Sequence, residues 1–255
     1  MNRYTISALA FAVVSSMGIA SLARAEFVSL AATRDATLYE SFDGSLANGA
    51  GRYFFAGKNN QVRARRGLIH FDIAGMLPTG ASITGVSLRL NLSQSSFGPE
   101  RAVSTHRALA NWTTGSSDPE DPEGSGTTAT ANDATWLQSS ADGLGGGIAW
   151  QNAGGDYAAA ASATVLTGAV GIYTWSSADL LADVLSFAAN PSKNYGWFII
   201  GDESTFGTAR RFDSSESATL GGIAPVLEIE YTTVPAPGAF ALIGVSGLFA
   251  MRRRR

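Results

Sequence analysis

The 255-residue sequence contains no cysteine and only two histidines, His70 and His106. Without cysteine the chain has no disulfide bond, no thiol nucleophile and no thiolate-ligated metal site. Neither histidine has a second histidine or a glutamate at zinc-motif spacing, and the Gly-x-Ser-x-Gly nucleophile motif is absent. We therefore expect a protein that is not an enzyme and that needs no cofactor.

Charged residues are also few, at 15% of the chain, with 18 basic and 21 acidic residues. Six of the basic residues lie within the first 25 and the last four positions, so the remaining chain has 12 basic against 21 acidic residues and a net charge near −9. Nucleic-acid binding needs a basic surface that neutralises phosphates. The composition therefore excludes a nucleic-acid partner and suits a solvated, exported protein.

Glycine is frequent, with 29 residues, and short apolar runs alternate with turns rich in Gly, Asn and Ser. This pattern is typical of an all-β sandwich or barrel. Strands are predicted at 27–32, 36–40, 67–73, 82–93, 102–109, 162–167, 172–175, 195–201 and 225–232. Long loops are predicted at 113–133 and 139–160.

Two segments have the clearest periodicity. In strand 82–93 four apolar residues alternate with polar ones and are expected in the core: Val86, Leu88, Leu90 and Leu92. A short helix is predicted after Ser177, a suitable N-cap, and Asn190-Pro191 ends it.

The first 25 residues match a secretory signal peptide. A short basic region at Arg3 precedes an apolar run at 6–19, and Ala23-Arg24-Ala25 fits the cleavage pattern of signal peptidase. The exported chain is therefore expected to begin at Glu26.

The end of the chain combines a proline pair, an apolar run and a basic cluster. Pro235 and Pro237 precede the run at 239–251, and the chain closes with Arg252, Arg253, Arg254 and Arg255. The run is shorter than the roughly 20 residues that cross a bilayer, and terminal arginines stay on the cytoplasmic side. The combination resembles the PEP-CTERM sorting tail of Gram-negative bacteria, with Ala236 where that family usually has Glu.

This resemblance implies cleavage near 234–238 by an exosortase-type enzyme and only transient membrane contact. It also implies that the protein ends at the cell surface or in the extracellular matrix. An ordinary C-terminal membrane tail is the alternative. The expected organisation is a signal peptide at 1–25, one β-sandwich domain at 26–233 and a sorting tail at 234–255.

Between these ends, an ordered set of motifs resembles the DNRLRE family. The motifs include Arg-Arg-Gly-Leu-Ile-His-Phe-Asp at 65–72, His-Arg-Ala-Leu-Ala-Asn-Trp at 106–112, Asn-Asp-Ala-Thr-Trp at 132–136, Gly-Trp-Phe-Ile-Ile-Gly-Asp-Glu-Ser at 196–204 and Arg-Phe-Asp-Ser at 211–214. The resemblance spans nearly the whole domain. It implies a jelly-roll β-sandwich similar to carbohydrate-binding module family 96, with alginate-type polysaccharides as ligands.

Strand alternation supplies candidate binding residues. Arg66 and His70 are predicted on the polar face of strand 67–73, and Arg89 on the polar face of strand 82–93. On strand 102–109 the alternation is open, so His106 and Arg107 compete for the same face. Because arginine binds carboxylates bidentately, one face that carries these residues could hold an acidic polysaccharide. An ordinary solvated sheet face is the alternative.

Trp150 lies in the loose, Gly- and Ala-rich region, and we expect it to be exposed. An exposed aromatic ring can stack on the apolar face of a sugar. Trp150 is therefore a further candidate for carbohydrate binding.

Two places could hold a structural calcium ion, which prefers clustered oxygen ligands. Asp118 and Asp121 belong to an acidic, proline-containing run, for which a solvated loop is the alternative. Asp35 and Glu40 are candidates near the first strands by analogy with other jelly rolls.

The expected function is that of a non-catalytic, surface-sorted carbohydrate-binding module, with acidic polysaccharide or exopolysaccharide as the ligand. The alternative is a structural matrix or surface protein that has no specific glycan ligand.

Overall fold

A computed structural model describes residues 24–95 and 98–233. The predicted signal peptide up to residue 23 and the predicted sorting tail lie outside the described residues. In the described part every strand pair is antiparallel, and one α-helix is present. The predicted all-β sandwich with one short helix is confirmed. No helix of this part has the length and apolar character that crossing a bilayer requires.

The strands are numbered in chain order. They are β1 (Ala25–Ala31), β2 (Arg34–Tyr39), β3 (Leu46–Ala47), β4 (Tyr53–Lys58), β5 (Ala64–His70), β6 (Ala81–Ser95), β7 (Arg101–Arg107), β8 (Thr127–Thr128), β9 (Gln138–Ala141), β10 (Gly147–Ala149), β11 (Ala163–Thr167), β12 (Gly171–Trp175), β13 (Trp197–Ile200), β14 (Arg210–Asp213) and β15 (Val226–Thr233).

The long strand β6 organises one half of the sandwich. Its first half pairs with β15, which pairs in turn with β1, and its second half pairs with β14, which pairs with β4. Strand β12 lies along the other edge of β6. These six strands are called the β6 sheet.

The other half is built around β5, and its five strands are called the β5 sheet. Strand β2 pairs with β5, and β5 pairs with β13, β13 with β7 and β7 with β11. The end of β4 also pairs with β5, so the two sheets are continuous and curl around one core.

The helix α1 (Ala178–Ala189) begins and ends where the sequence predicts. The Ser177 hydroxyl accepts a hydrogen bond from the Leu180 amide at 2.9 Å, which satisfies one of the free N–H groups of the first turn. Leu180, Val184 and Phe187 form the buried stripe of α1 and pack into the core between the sheets.

The alternation of β6 is confirmed. Leu88, Leu90 and Leu92 have no exposed surface, and Val86 is 6% exposed. These side chains meet residues of the β5 sheet such as Ile69 in the main core. The polar residues between them therefore form the outer face of the β6 sheet.

A second, smaller core lies on the outer face of the β5 sheet. Leu68 and Phe198 of that sheet pack there against Trp112, Ala134 and Trp150 of the segment that follows β7. This segment therefore covers one outer face of the sandwich.

Candidate functional site

Strand register brings three predicted residues to the covered face. Arg66 and His70 alternate with core residues of β5, and Phe198 of β13 lies opposite both Leu68 and His106. His106 therefore shares the outer face of the β5 sheet with Arg66 and His70.

Arg107 lies on the opposite face from His106. Its Nε atom is 3.6 Å from Oδ1 of Asp183, which belongs to α1. The other oxygen of this carboxylate, Oδ2, accepts a hydrogen bond from Trp197 Nε1 at 2.9 Å. The choice that the sequence leaves open between His106 and Arg107 is thus resolved in favour of His106, and Arg107 contacts the helix.

Trp150 is 6% exposed, so the expectation that it is exposed was wrong. Its Nε1 donates to the Thr135 carbonyl at 2.9 Å, and its ring meets Phe198 edge-on. At Gly155, which has φ +99°, an added Cβ would collide with the Phe198 ring. The Gly- and Ala-rich segment therefore lies directly on the sheet and buries Trp150 beneath it.

The Arg66 side chain is 13% exposed, and each of its three guanidinium nitrogens donates a hydrogen bond. Nε and Nη2 donate to the two carboxylate oxygens of Glu203 at 2.7 and 2.8 Å, and Nη1 donates to the Gly154 carbonyl at 2.8 Å. The guanidinium also lies 4.8 Å from the Trp136 ring centroid and 5.2 Å from that of Tyr157. Arg66 therefore holds two loops on the sheet, and Glu203 already occupies the pair of N–H groups that would bind a uronate carboxylate.

The two histidines are also held by neighbouring groups, and His70 Nδ1 lies 2.7 Å from the Thr33 hydroxyl. His106 Nδ1 lies 2.8 Å from the Ala158 carbonyl, and its Nε2 lies 2.9 Å from the Ser104 hydroxyl. Burial lowers the pKa of His70 to about 4, and the nearby guanidinium of Arg34 adds to the effect. A neutral His70 at physiological pH cannot attract an anionic sugar by charge.

Arg89 does not share a face with these residues, and the predicted common face of Arg66, His70 and Arg89 was wrong. Arg89 projects from the outer face of the β6 sheet, and β14 and β4 stand between β6 and β5 in the strand order. Arg89 is exposed, and its side chain makes no ion pair or hydrogen bond with the residues that the structure describes.

The calcium candidates do not form a site in the described ranges, where no group of three or more Asp, Glu or His side chains has the geometry to hold a metal ion. Asp35 is 3% exposed and accepts from the Ser215 amide at 2.7 Å. Burial raises the pKa of Asp35 to about 7, and the carboxylate of Glu216 adds to the rise. Glu40 accepts instead from the Ala64 amide, at 2.6 Å.

The acidic run that contains Asp118 and Asp121 is fixed by its neighbour Glu123. The Glu123 carboxylate is buried and accepts from the Arg52 and Tyr53 amides at 2.8 and 2.9 Å and from the Asn48 side chain at 3.0 Å. Asp118 and Asp121 themselves are exposed. Protein N–H groups therefore anchor this loop.

The outer face of the β6 sheet carries several surface depressions. Three depressions follow one another along β6: one at Gly85–Ser87 of about 230 Å³, one at Arg89–Asn91 of about 60 Å³ and one at Gln94–Ser95 of about 260 Å³. We call them the Phe27 groove, the Arg89 depression and the Arg211 cleft after one residue that lines each.

The Arg211 cleft combines a cation with apolar and hydrogen-bonding groups. Its lining includes Phe55, Gln94, Ser95, Pro122 and Arg211. Phe55 and Gln94 come from the strands on either side of Arg211 and lie directly opposite it. Side-chain amide, hydroxyl and guanidinium groups around an apolar wall are the groups that bind a sugar acid.

The Arg211 guanidinium is positioned but not saturated. It stacks 3.8 Å from the centroid of the Tyr53 ring, and Nε donates to the Ser93 hydroxyl at 3.3 Å. Nη1 lies 3.8 Å from Asp121 Oδ1, whose side chain is 69% exposed. Nη2 has no hydrogen-bond partner within the described ranges. A ligand carboxylate could therefore replace Asp121 and bind Arg211 through two N–H groups.

One signal in the sequence points to Arg211, which belongs to the Arg-Phe-Asp-Ser motif of β14. No signal points to the contact of Arg211 with Phe55, because 156 positions separate the two residues and only the pairing of β14 with β4 brings them together. A comparison with protein-family models gives no match, and a comparison with curated proteins gives none either.

Proposed function

We propose that this protein is an exported, surface-sorted, non-catalytic module that binds acidic polysaccharide on the outer face of the β6 sheet. The observation that carries the proposal is a pair of arginines on this face. Arg89 is exposed beside a depression of about 60 Å³, and Arg211, whose side chain is 17% exposed, lines a cleft of about 260 Å³. Both guanidiniums keep donors that the described residues do not satisfy. In a domain with a net charge near −9, such cations favour anionic ligands only locally.

The non-catalytic part of the proposal is supported by the placement of the histidines. His106 contacts the covering segment after β7, His70 contacts Thr33, and neither histidine lines any of the three depressions. The Arg211 cleft offers no histidine beside a nucleophile, which acyl transfer or hydrolysis by the common mechanisms would need.

Binding is tested with the full chain, alginate-type uronate oligomers and uncharged glucan oligomers, by calorimetric titration at low and high salt. We expect the uronate oligomers to bind, and Arg89→Ala combined with Arg211→Gln to weaken them by roughly tenfold. Arg63→Ala is the matched control, because it removes an exposed arginine that lies off this face. Equal binding by the double variant and the wild type would refute the site.

The alternative function, a structural surface protein without a glycan ligand, predicts that neither class of oligomer binds. Silent titrations with both ligand classes would replace the binding proposal by this alternative.

Export and sorting rest on the two terminal segments of the sequence. We expect the mature protein to begin at Glu26 and to lack the chain from about residue 239 onward. Intact-mass analysis of protein from the native cell surface measures both ends. A species that still ends in Arg252–Arg255 would refute the sorting proposal.

A further inference from the structure

The three depressions lie on one strand face in a row. Gly85, Ser87, Arg89 and Asn91 alternate with the buried stripe of β6 and therefore point outward, and Gln94 continues the row beside Arg211. The row from Gly85 to Ser95 spans roughly 30 Å at about 3.3 Å per residue, which matches about six pyranose rings in an extended glycan.

The Phe27 groove differs in chemistry from the other end of the row. Phe27 of β1 is 60% exposed and lies opposite Glu230, which lies opposite Gly85. A Cβ atom at Gly85 would lie 2.8 Å from Glu230 Oε2, so the absent side chain keeps this groove open. Glu228 and the hydroxyls of Ser87 and Ser176 complete its wall.

The charge along the row is therefore uneven. The carboxylates of Glu228 and Glu230 accept hydrogen bonds from sugar hydroxyls but repel a uronate, and the Phe27 ring can stack on an apolar sugar face. At the other end Arg89 and Arg211 attract a uronate, and the exposed carboxylate of Asp121 lies beside Arg211.

We propose that the outer face of β6 binds an extended polysaccharide lengthwise, with carboxylated sugars at the Arg89–Arg211 end and uncharged sugars in the Phe27 groove. The ligand class is thus a mixed polymer of acidic and neutral sugars. This inference rests on the proposed function and adds the direction, the length and the composition of the ligand.

The experiment compares uronate disaccharides, uronate hexasaccharides and hexasaccharides that contain both uronate and neutral sugars. We expect the mixed hexasaccharide to bind tightest. Phe27→Ala should weaken it by roughly fivefold and leave the disaccharide unchanged, because a disaccharide occupies only the arginine end. Glu228→Gln combined with Glu230→Gln should strengthen the pure uronate hexasaccharide by roughly threefold, since it removes two repulsive charges.

Far-ultraviolet spectra and melting temperatures confirm that each variant is folded, and Thr84→Ala, an exposed change on the same strand, is the control. If both variants of the Phe27 groove bind all ligands like the wild type while Arg89→Ala weakens them, the lengthwise inference is refuted and the proposed function stands. If no oligomer binds the wild type, both are refuted.

Discussion

At the scale of single residues, the surroundings of each arginine decide its role. Arg66 donates hydrogen bonds to Glu203 and to a backbone carbonyl. Arg89 is exposed and has no partner among the described residues. Arg211 stacks on the Tyr53 ring, and one of its nitrogens has no hydrogen-bond partner among the described residues. All three belong to strands and look alike in the sequence. What separates them is the set of partners that the rest of the chain supplies. Arg66 and Arg211 are 13% and 17% exposed, but Glu203 and Gly154 occupy every nitrogen of the Arg66 guanidinium, whereas Arg211 keeps one nitrogen without a hydrogen bond in the described part.

Arg66→Ala should destabilise the fold and leave glycan binding to the folded protein unchanged. The change leaves the Glu203 carboxylate, 24% exposed, without its partner and removes the ring contacts, so the free energy of unfolding should fall by about 3 kcal/mol. Urea denaturation measures this loss, with Arg89→Ala as the control that should stay within about 0.5 kcal/mol of the wild type. Equal midpoints for Arg66→Ala and the wild type would contradict the bracing role.

Asp35 should make the protein less stable as the pH rises. Its pKa is about 7 in the folded state, against an ordinary value of 3.8. At a pH between these two values the folded protein therefore keeps a proton on Asp35 that the unfolded chain has lost. The contribution of Asp35 is fully present below the lower value and is lost as the pH rises through 7. Asp35→Asn, which stays neutral, should gain about 2 kcal/mol over the wild type between about pH 5 and about pH 8.

Thermal melting across this pH range measures the effect. Asp72→Asn is the control, because Asp72 is exposed. A difference between Asp35→Asn and the wild type that does not change with pH would show that Asp35 is charged throughout.

At the scale of secondary-structure elements, the sequence predicts those whose two faces differ. The alternating strand β6 and the helix α1 follow their patterns within a few residues, because one side of each meets the core and the other meets water. Strands β4 and β14 were missed. In β4, Phe54 lies in the core and Phe55 is only 7% exposed beside Pro122, so both faces are apolar and the strand shows no alternation. Strand β14 is only four residues long and contains two arginines, so its apolar pattern is too short to recognise.

Leu90→Ala tests the stripe on which the β6 sheet depends. Leu90 has no exposed surface, so the cavity and the lost apolar contact should lower the free energy of unfolding by about 3 kcal/mol. Thr84→Ala on the same strand should have little effect, because Thr84 is exposed. Chemical denaturation of both variants measures the difference, and a Leu90→Ala midpoint equal to that of the wild type would place Leu90 outside the core.

At the scale of the whole molecule, the two outer faces of the sandwich differ in how far other segments of the chain cover them. The face of the β5 sheet is covered by the segment after β7, whereas the face of the β6 sheet carries the three depressions. Residue types and strand alternation are local properties and could be predicted, as Arg89 shows. Which strands are neighbours and which face a distant segment covers depend on long-range pairing. For this reason Trp150 was expected to be exposed, Arg66 was expected to share a face with Arg89, and Arg211 was missed.

The pairing of β1 with β15 has a consequence for the order of events in the cell. Ala25 pairs with Thr232 and Ala31 with Val226, and β1 has no other partner strand in the described part of the chain. Among the described strands the ribosome makes β1 first and β15 last, and contacts between such distant segments form slowly. Strand β1 must therefore wait without its partner until nearly all of the described domain has been synthesised.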